Sequence, residues 1–407
     1  MSTETLEHAT GQDAAPKPSP LERIHEDIMH LAGRLIHRGA QTEQERLAAD
    51  YLQGRLRTYT PDVDRDPFAS FDNHRYLFAS FYGEFAIVCL AAIWFPAGAA
   101  VYGILAFTAY LAEFMGFSIV SRLLPRYESQ NVVGRFLGLR PKGLIIIHAH
   151  YDSGCASPMT RSRVRRYLRH LHYLMVFCMA VIIATCVASA AGEVQGMAMP
   201  LALYVRWGAF AVLLSGALAL FLDSSSGEEI RGANVNASGV AAALEIAERL
   251  AADPVENADV WVAFTGANEA WMSGMRVLLE HSHLDRDSTH ILNLEGIGAG
   301  QLSYTRAEGM LHGTSTDPAL RWAAESLAGN YDIRDAALRA VPSSAHLPLS
   351  HGYPTMSVVG LDEDGIPPHW NQITDRVTEI DDRQILQAAE FGEAIVRKLD
   401  ADWSKAE

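Results

Sequence analysis

The sequence predicts an α/β protein, a mixed, mainly parallel sheet sandwiched by helices, into which four transmembrane helices are inserted as two hairpins. Three observations predict it. Short apolar runs alternate with helical pattern along most of the 407 residues. Polar clusters follow those runs, where a parallel sheet would expose its strand ends. Two long stretches carry almost no charge, although the chain has a formal net charge of -15.

The first twenty residues are polar, contain proline and are expected to be a disordered tail with no cleavable signal peptide. The first uncharged stretch, 76–121, reads "YLFASFYGEFAIVCLAAIWFPAGAAVYGILAFTAYLAEFMGFSIVS" and accommodates two passes of roughly 20 residues each, with "PAG" at 96–98 as the turn. The second, 171–222, divides at "GEVQGMAMP" into two more. Core helices rarely run so long without a polar face. Within the first stretch, Glu84 and Glu113 fall at similar distances from the turn and are expected at similar depth, where an acid is costly unless paired or functional.

A hairpin returns the chain to the side it left. Residues 21–75, 122–170 and 223–407 therefore form one globular domain on one side of the bilayer. Arg75, Arg122 and Arg126 flank the first hairpin and "RSRVRRYLR" (161–169) precedes the second, while both turns lack Lys and Arg. By the positive-inside rule the domain and both termini are cytoplasmic, in a multi-pass protein of the cell membrane whose first partner is the lipid bilayer. The acidic balance argues against a nucleic-acid partner. Of the four cysteines, Cys89, Cys178 and Cys186 lie in the apolar stretches and Cys155 stands alone, which excludes a disulfide framework or a zinc knuckle.

Within the domain, "GLIIIH" (143–148), "DVWVAFT" (259–265), "HILNLE" (290–295) and "PTMSVVG" (354–360) read as buried strands. "ASGVAAALEIAERLAAD" and "IDDRQILQAAEFGEAIVRKL" read as helices. In such sheets a site lies beyond the strand C-termini. The clusters there are "HAHYDS" (148–153), "GANVNASG" (232–239), "TGANEAWMSG" (265–274), "NLEGIG" (293–298), "SSAHLPL" (343–349) and "PPHWNQITDRVTEID" (367–381). Each alone is a weak signal, but their joint order is not.

In that order the sequence resembles metallopeptidase family 28, the co-catalytic zinc aminopeptidases and their glutaminyl cyclase relatives, over all of the chain but the tail and hairpins. The resemblance implies an aminopeptidase-like fold and a pair of zinc ions held by two histidines and three carboxylates, with a further Glu as general base. Carried over residue by residue, His150, Glu269 and Glu295 match metal-ligand positions, and Asp152 matches the partner that orients His150. The bridging Asp falls on Val235, the general base on Asn268 and the last His on Asn371, while Ala345 precedes His346 where an acid is usual.

Valine offers no lone pair, and an amide cannot take a proton from water near neutral pH. Catalytic zinc keeps three protein ligands and a water, so each half-site is short. A partial zinc site, with His369 as the substitute ligand, is the exception kept open; a site without zinc is the reading the residues favour. In that case His150 pairs with Asp152, Glu269 with an arginine, and Glu295 caps a strand end. The expectation is a membrane-anchored pseudopeptidase that binds a peptide or small-molecule ligand in a pocket including His346. Two alternatives stay open. One is an enzyme of altered mechanism performing amide hydrolysis, acyl transfer or cyclisation; the other is an active zinc aminopeptidase drawing ligands from His369, His346, Asp362 or Asp364.

Overall fold

The computed structural model describes residues 17–192 and 198–405. The proposed tail falls almost wholly outside them, and Pro20 already opens a helix capped by Ser19. The strands are β1 (Val63–Ser70), β2 (Tyr127–Phe136), β3 (Gly143–His150), β4 (Cys155–Ala156), β5 (Glu228–Glu229), β6 (Ala258–Thr265), β7 (Thr289–Glu295), β8 (Gln301–Glu308), β9 (Thr314–Ser315), β10 (Arg334–Leu338) and β11 (Thr355–Leu361). The α-helices are α1 (Pro20–Ile28), α2 (Glu43–Arg57), α3 (His74–Ala91), α4 (Pro96–Phe114), α5 (Ser162–Arg165), α6 (Leu168–Ala190), α7 (Ala198–Ser226), α8 (Ser238–Ala252), α9 (Ser273–His281), α10 (Pro318–Ala328), α11 (His346–Ser350) and α12 (Asp382–Lys405).

The main sheet runs β1-β2-β6-β3-β7-β11-β8-β10, with β9 paired to β8. Its centre, β6-β3-β7-β11, is parallel, whereas β1-β2, β2-β6 and β11-β8 are antiparallel. The four strands expected from sequence are the four central ones, because strands covered on both faces need the continuous Val, Ile and Leu runs that make them legible. One face packs against a core including Ile24, Leu52, Val240, Leu244 and Phe391. The other face, through Ile146, Ala263 and Ile291, continues without a break into Phe81, Tyr110, Met179 and Leu213 of the long apolar helices.

Those helices, α3, α4, α6 and α7, form a four-helix bundle made of two hairpins, with the second turn partly outside the described residues. Three rather than four are long and apolar enough to cross a membrane: Pro96–Phe114, Leu168–Ala190 and Pro200–Ser226. Helix α3 differs because His74, Arg75 and Glu84 interrupt its 18 residues and because the other three helices bury much of it. Nor are the two glutamates at one depth. Glu84 sits mid-helix, bonded to the Tyr102 hydroxyl. Glu113 ends α4, where its carboxylate accepts from the backbone N–H of Ile119 (2.5 Å) and Ser121 (2.8 Å). A side chain that satisfies the helix exit needs no further role.

All four helix ends that enter or leave the domain are fastened to it. Arg75 pairs with Asp223 at 3.1 Å, tying the start of α3 to the end of α7, and donates to the Cys155 carbonyl at 3.1 Å, which fastens both to the domain. The Trp271 indole donates to the carbonyl of Glu113 at 3.0 Å. Arg169, at the start of α6, donates to the Met310 carbonyl at 3.1 Å, and Arg165 pairs with Asp362. Part of the basic run thus docks the bundle rather than facing lipid.

Candidate active site at the strand ends

Four turns build the site. The end of β3 delivers His150 and, two residues on, Asp152; both are buried. The Asp152 carboxylate is shared: one oxygen lies 3.4 Å from His150 Nδ1, and the other accepts the Glu269 backbone N–H at 3.0 Å. The segment after β6 carries Asn268 and Glu269 through a turn in which Ala267, Trp271 and Met272 all have positive φ, a left-handed conformation unfavourable for residues with a Cβ. Buried Glu45 holds that turn by accepting the Ala267 N–H at 2.8 Å. Burial, with the nearby Asp152 charge, raises its pKa to about 8.

Val235 lies in a one-turn π-helix, Ala233–Ala237, entered through Gly232 at φ 60°. Asp375 clamps this turn, accepting the N–H of Asn234 at 2.5 Å and of Val235 at 3.2 Å. Burial raises its carboxyl to about 7, against the lowering effect of those bonds. Glu295 ends β7, and one of its oxygens accepts the Ser344 N–H at 3.0 Å. The Ser344 hydroxyl donates to Asn268 Oδ1 at 3.1 Å, so the strand end and the Asn268 turn are linked.

His150, Val235, Asn268, Glu269, Glu295 and Asn371 line one cavity of about 610 Å³. Glu295 Oε1 is 4.0 Å from His150 Nε2. Asn371 hydrogen-bonds Glu269, and both converge over Gly154: a Cβ there would lie 2.5 Å from Asn371 Oδ1 and 2.7 Å from Glu269 Oε1. Burial lowers the His150 imidazole, but its bond to Asp152 and the charges of Glu295, Asp152 and Glu269 outweigh this and the net direction is up. Burial raises Glu269, offset in part by the charge of Arg75. The buried atoms His150 Nε2 and Asn371 Oδ1 have no hydrogen-bond partner among the described residues.

Two expected members lie elsewhere. His346 is buried behind the wall, its Nε2 3.0 Å from the Phe114 carbonyl; it touches Phe114 and Trp271, which line the cavity, without lining it itself. His369 is turned onto Thr374 Oγ1 at 2.9 Å and is not part of the lining. Asp362 pairs with Arg165 and accepts the N–H of Asp364 at 2.9 Å. Among the described residues no three His, Cys, Asp or Glu side chains are grouped to hold a metal ion. Asp375, Gly154 and Glu45 are the residues that reading the motifs missed; only Asp375 stood inside a quoted motif.

Residues 219–395 match the model for peptidase family M28. Over that segment the chain is similar to peptidase family M28. The M28 fold extends beyond it. A zinc aminopeptidase from Bacillus subtilis superposes with a TM-score of 0.55 at 13% identity, covering 94% of this chain and 96% of its own. A Zn-dependent exopeptidase from Parabacteroides distasonis gives 0.54 at 12%, covering 94% and 99%. A Bacteroides thetaiotaomicron glutaminyl cyclase, bound to N-acetylhistamine, gives 0.53 at 12%, covering 93% and 97%. At these identities the likeness is one of fold. No curated protein sequence matches.

Proposed function

We propose that this is a membrane-anchored M28 protein that binds a ligand at the strand-end site without classical di-zinc peptidase chemistry. The observation that carries the reading is the position of Val235: a β-branched apolar side chain faces the same cavity as His150, Glu269 and Glu295, where the family places a carboxylate bridging two zinc ions. A bridging position without a lone pair removes one ligand from both ions at once. Asn371 supplies an amide where the last histidine would be, and Asn268, accepting from Ser344, offers no base for water. The donor set therefore does not fit a zinc pair. His150 and Asp152 act instead as a structural pair, and the charge of Arg75 partly offsets the burial of Glu269.

Anchoring is supported by three helices of membrane-spanning length and by the apolar surface they expose, including Leu105 at 63% and Leu201 at 66% exposure. Flanking arginines favour a cytoplasmic domain; a reporter fused at Gly98 should read as external and fusions at either terminus as internal. The activity reading is tested by elemental zinc analysis of the purified full chain beside turnover of aminoacyl amides. Less than one zinc per chain and no chelator-sensitive release of amino acid are expected. Two tightly bound zinc ions with turnover would overturn the reading.

A further inference from the structure

The cavity does not stop at the site. From the strand ends it runs into the helix bundle, where Tyr82 of α3, Phe114 of α4, Met175 of α6 and Val212, Ala219 and Leu220 of α7 form its walls. Its lining covers Ala211 to Leu220 on α7, roughly 13 Å of helix at 1.5 Å per residue. A hydrolytic site that receives peptides from water has no need of such an extension. Its size falls in the usual range of small-molecule sites, roughly 300–1,000 Å³.

The polar end has a definite chemistry. His150 Nδ1 faces Asp152 at 3.4 Å, which holds the ring at the rim of this end. Asn371 Oδ1 and Glu269 Oε1 meet over Gly154, and Glu295 Oε1 turns toward His150. These three side chains offer acceptors, two of them on carboxylates, and Asn371 Oδ1 is buried without a partner among the described residues. What complements them is a compact cation with several donors. A primary ammonium has three donors and no acceptor, whereas a carboxylate or phosphate head would lie against the carboxylates of Glu269 and Glu295.

We infer that this site binds a single-chain amphiphile with a primary ammonium head, the head at His150, Glu269, Glu295 and Asn371 and the apolar chain between α3, α6 and α7. The inference rests on the proposed function for its lack of metal at the head end and adds the ligand class. Such a ligand would be drawn from the bilayer in which the bundle sits, so its chain need never cross water.

The test uses the full chain in nanodiscs, titrated with n-alkylamines of six to twelve carbons, with decanol and decanoate as head-group controls and empty discs as the background. Affinity above background should rise with chain length, by at most about fourfold per methylene. Decylamine should bind at least tenfold more tightly than decanol or decanoate. Glu269→Gln should erase the preference for the amine and keep the chain-length dependence. Ala219→Trp, with Ser215→Phe as a second blocking variant should the first misfold, should erase the chain-length dependence. Equal binding of decylamine and decanoate by wild type, or no chain-length dependence beyond empty discs, would overturn the inference without any variant. Zinc content and aminoacyl amide turnover are measured on the same preparation. A protein that holds zinc and hydrolyses amides but also selects decylamine sinks the non-catalytic reading and leaves the amphiphile site standing; one that does neither and ignores alkylamines does the reverse.

Discussion

The two ends of the cavity obey different rules. At the sheet end polar groups are held by hydrogen bonds between side chains and backbone: Asp152 by the Glu269 N–H, Glu295 by the Ser344 N–H, and the Val235 turn by Asp375. At the bundle end Met175, Val212 and Leu220 are held by packing alone, and many apolar shapes would serve there. On the proposed reading, carboxylates such as Asp152 and Asp375 still brace the turns beside Val235, Asn268 and Asn371, which carry no metal-binding carboxylate or imidazole.

The comparison breaks most visibly if donors are put back. The triple variant Val235→Asp, Asn268→Glu, Asn371→His should raise zinc content from below one toward two ions per chain by elemental analysis, because the scaffold that would orient the new groups is in place. Val235→Asp alone should not bind zinc. It should instead lower stability by about 2–4 kcal/mol, since it buries a carboxylate beside Glu269 and Glu295 without a cation. Zinc binding by the single variant would mean that the remaining donors were already sufficient.

A second break is at the joint between the ends. Arg75 reaches Asp223 at 3.1 Å and the Cys155 carbonyl at 3.1 Å, and its charge also offsets the burial of Glu269. Arg75→Ala should cost about 3–5 kcal/mol, because it leaves Asp223 charged and buried without its partner. The measurement is thermal unfolding in detergent. A loss under 1 kcal/mol would show that Arg75 does not hold α3, α7 and the Cys155 strand together.

Much of the sheet end was legible in sequence because each group follows an apolar run at a strand C-terminus: His150 after β3, Asn268 and Glu269 after β6, Glu295 at the end of β7. Local pattern locates such residues, and motif order says they meet. The cavity's second half was not legible. Whether Tyr82 or Ala219 faces the site depends on how two hairpins pack against a distant sheet edge, and hydropathy is the same on either side of an apolar helix. The same blindness misplaced Glu113, whose partners lie in the loop after its own helix, and His346, whose ring turns toward Phe114. Gly154 carried no signal at all, since its meaning is the space it leaves for Asn371 and Glu269.

A finer distinction between the ends is pH. Asp375 has a folded pKa near 7 against an ordinary value of 3.8, because burial outweighs the two N–H bonds it accepts. Between those values the folded state holds a proton that the unfolded chain has lost, so stability should fall as pH rises from about 4 to about 7 and level off above that. Glu45, raised to about 8, has the same sign and extends the window upward. Asp375→Asn keeps one acceptor for the Val235 turn and removes the titration. Melting temperature followed from pH 4 to pH 8 should be flatter in the variant than in wild type; an unchanged slope would assign the pH dependence to other groups.

The smallest effect is expected at His369, the histidine nearest in sequence to the missing ligand at 371. Its ring bonds Thr374, its backbone has φ 62°, and it stands outside the lining of the cavity. Bringing it to Glu269 would require the turn that carries Asn371, itself at φ 47°, to be rebuilt, and the Asp375 clamp on Asn234 and Val235 lies four residues further on in the same loop. His369→Ala should therefore change neither zinc content nor decylamine affinity by more than about twofold, and should cost within about 0.5 kcal/mol of stability as a partly exposed substitution does. If the variant instead loses zinc that the wild type holds, the loop rearranges in solution, His369 replaces the absent histidine, and the sheet end is a working metal site in a different register.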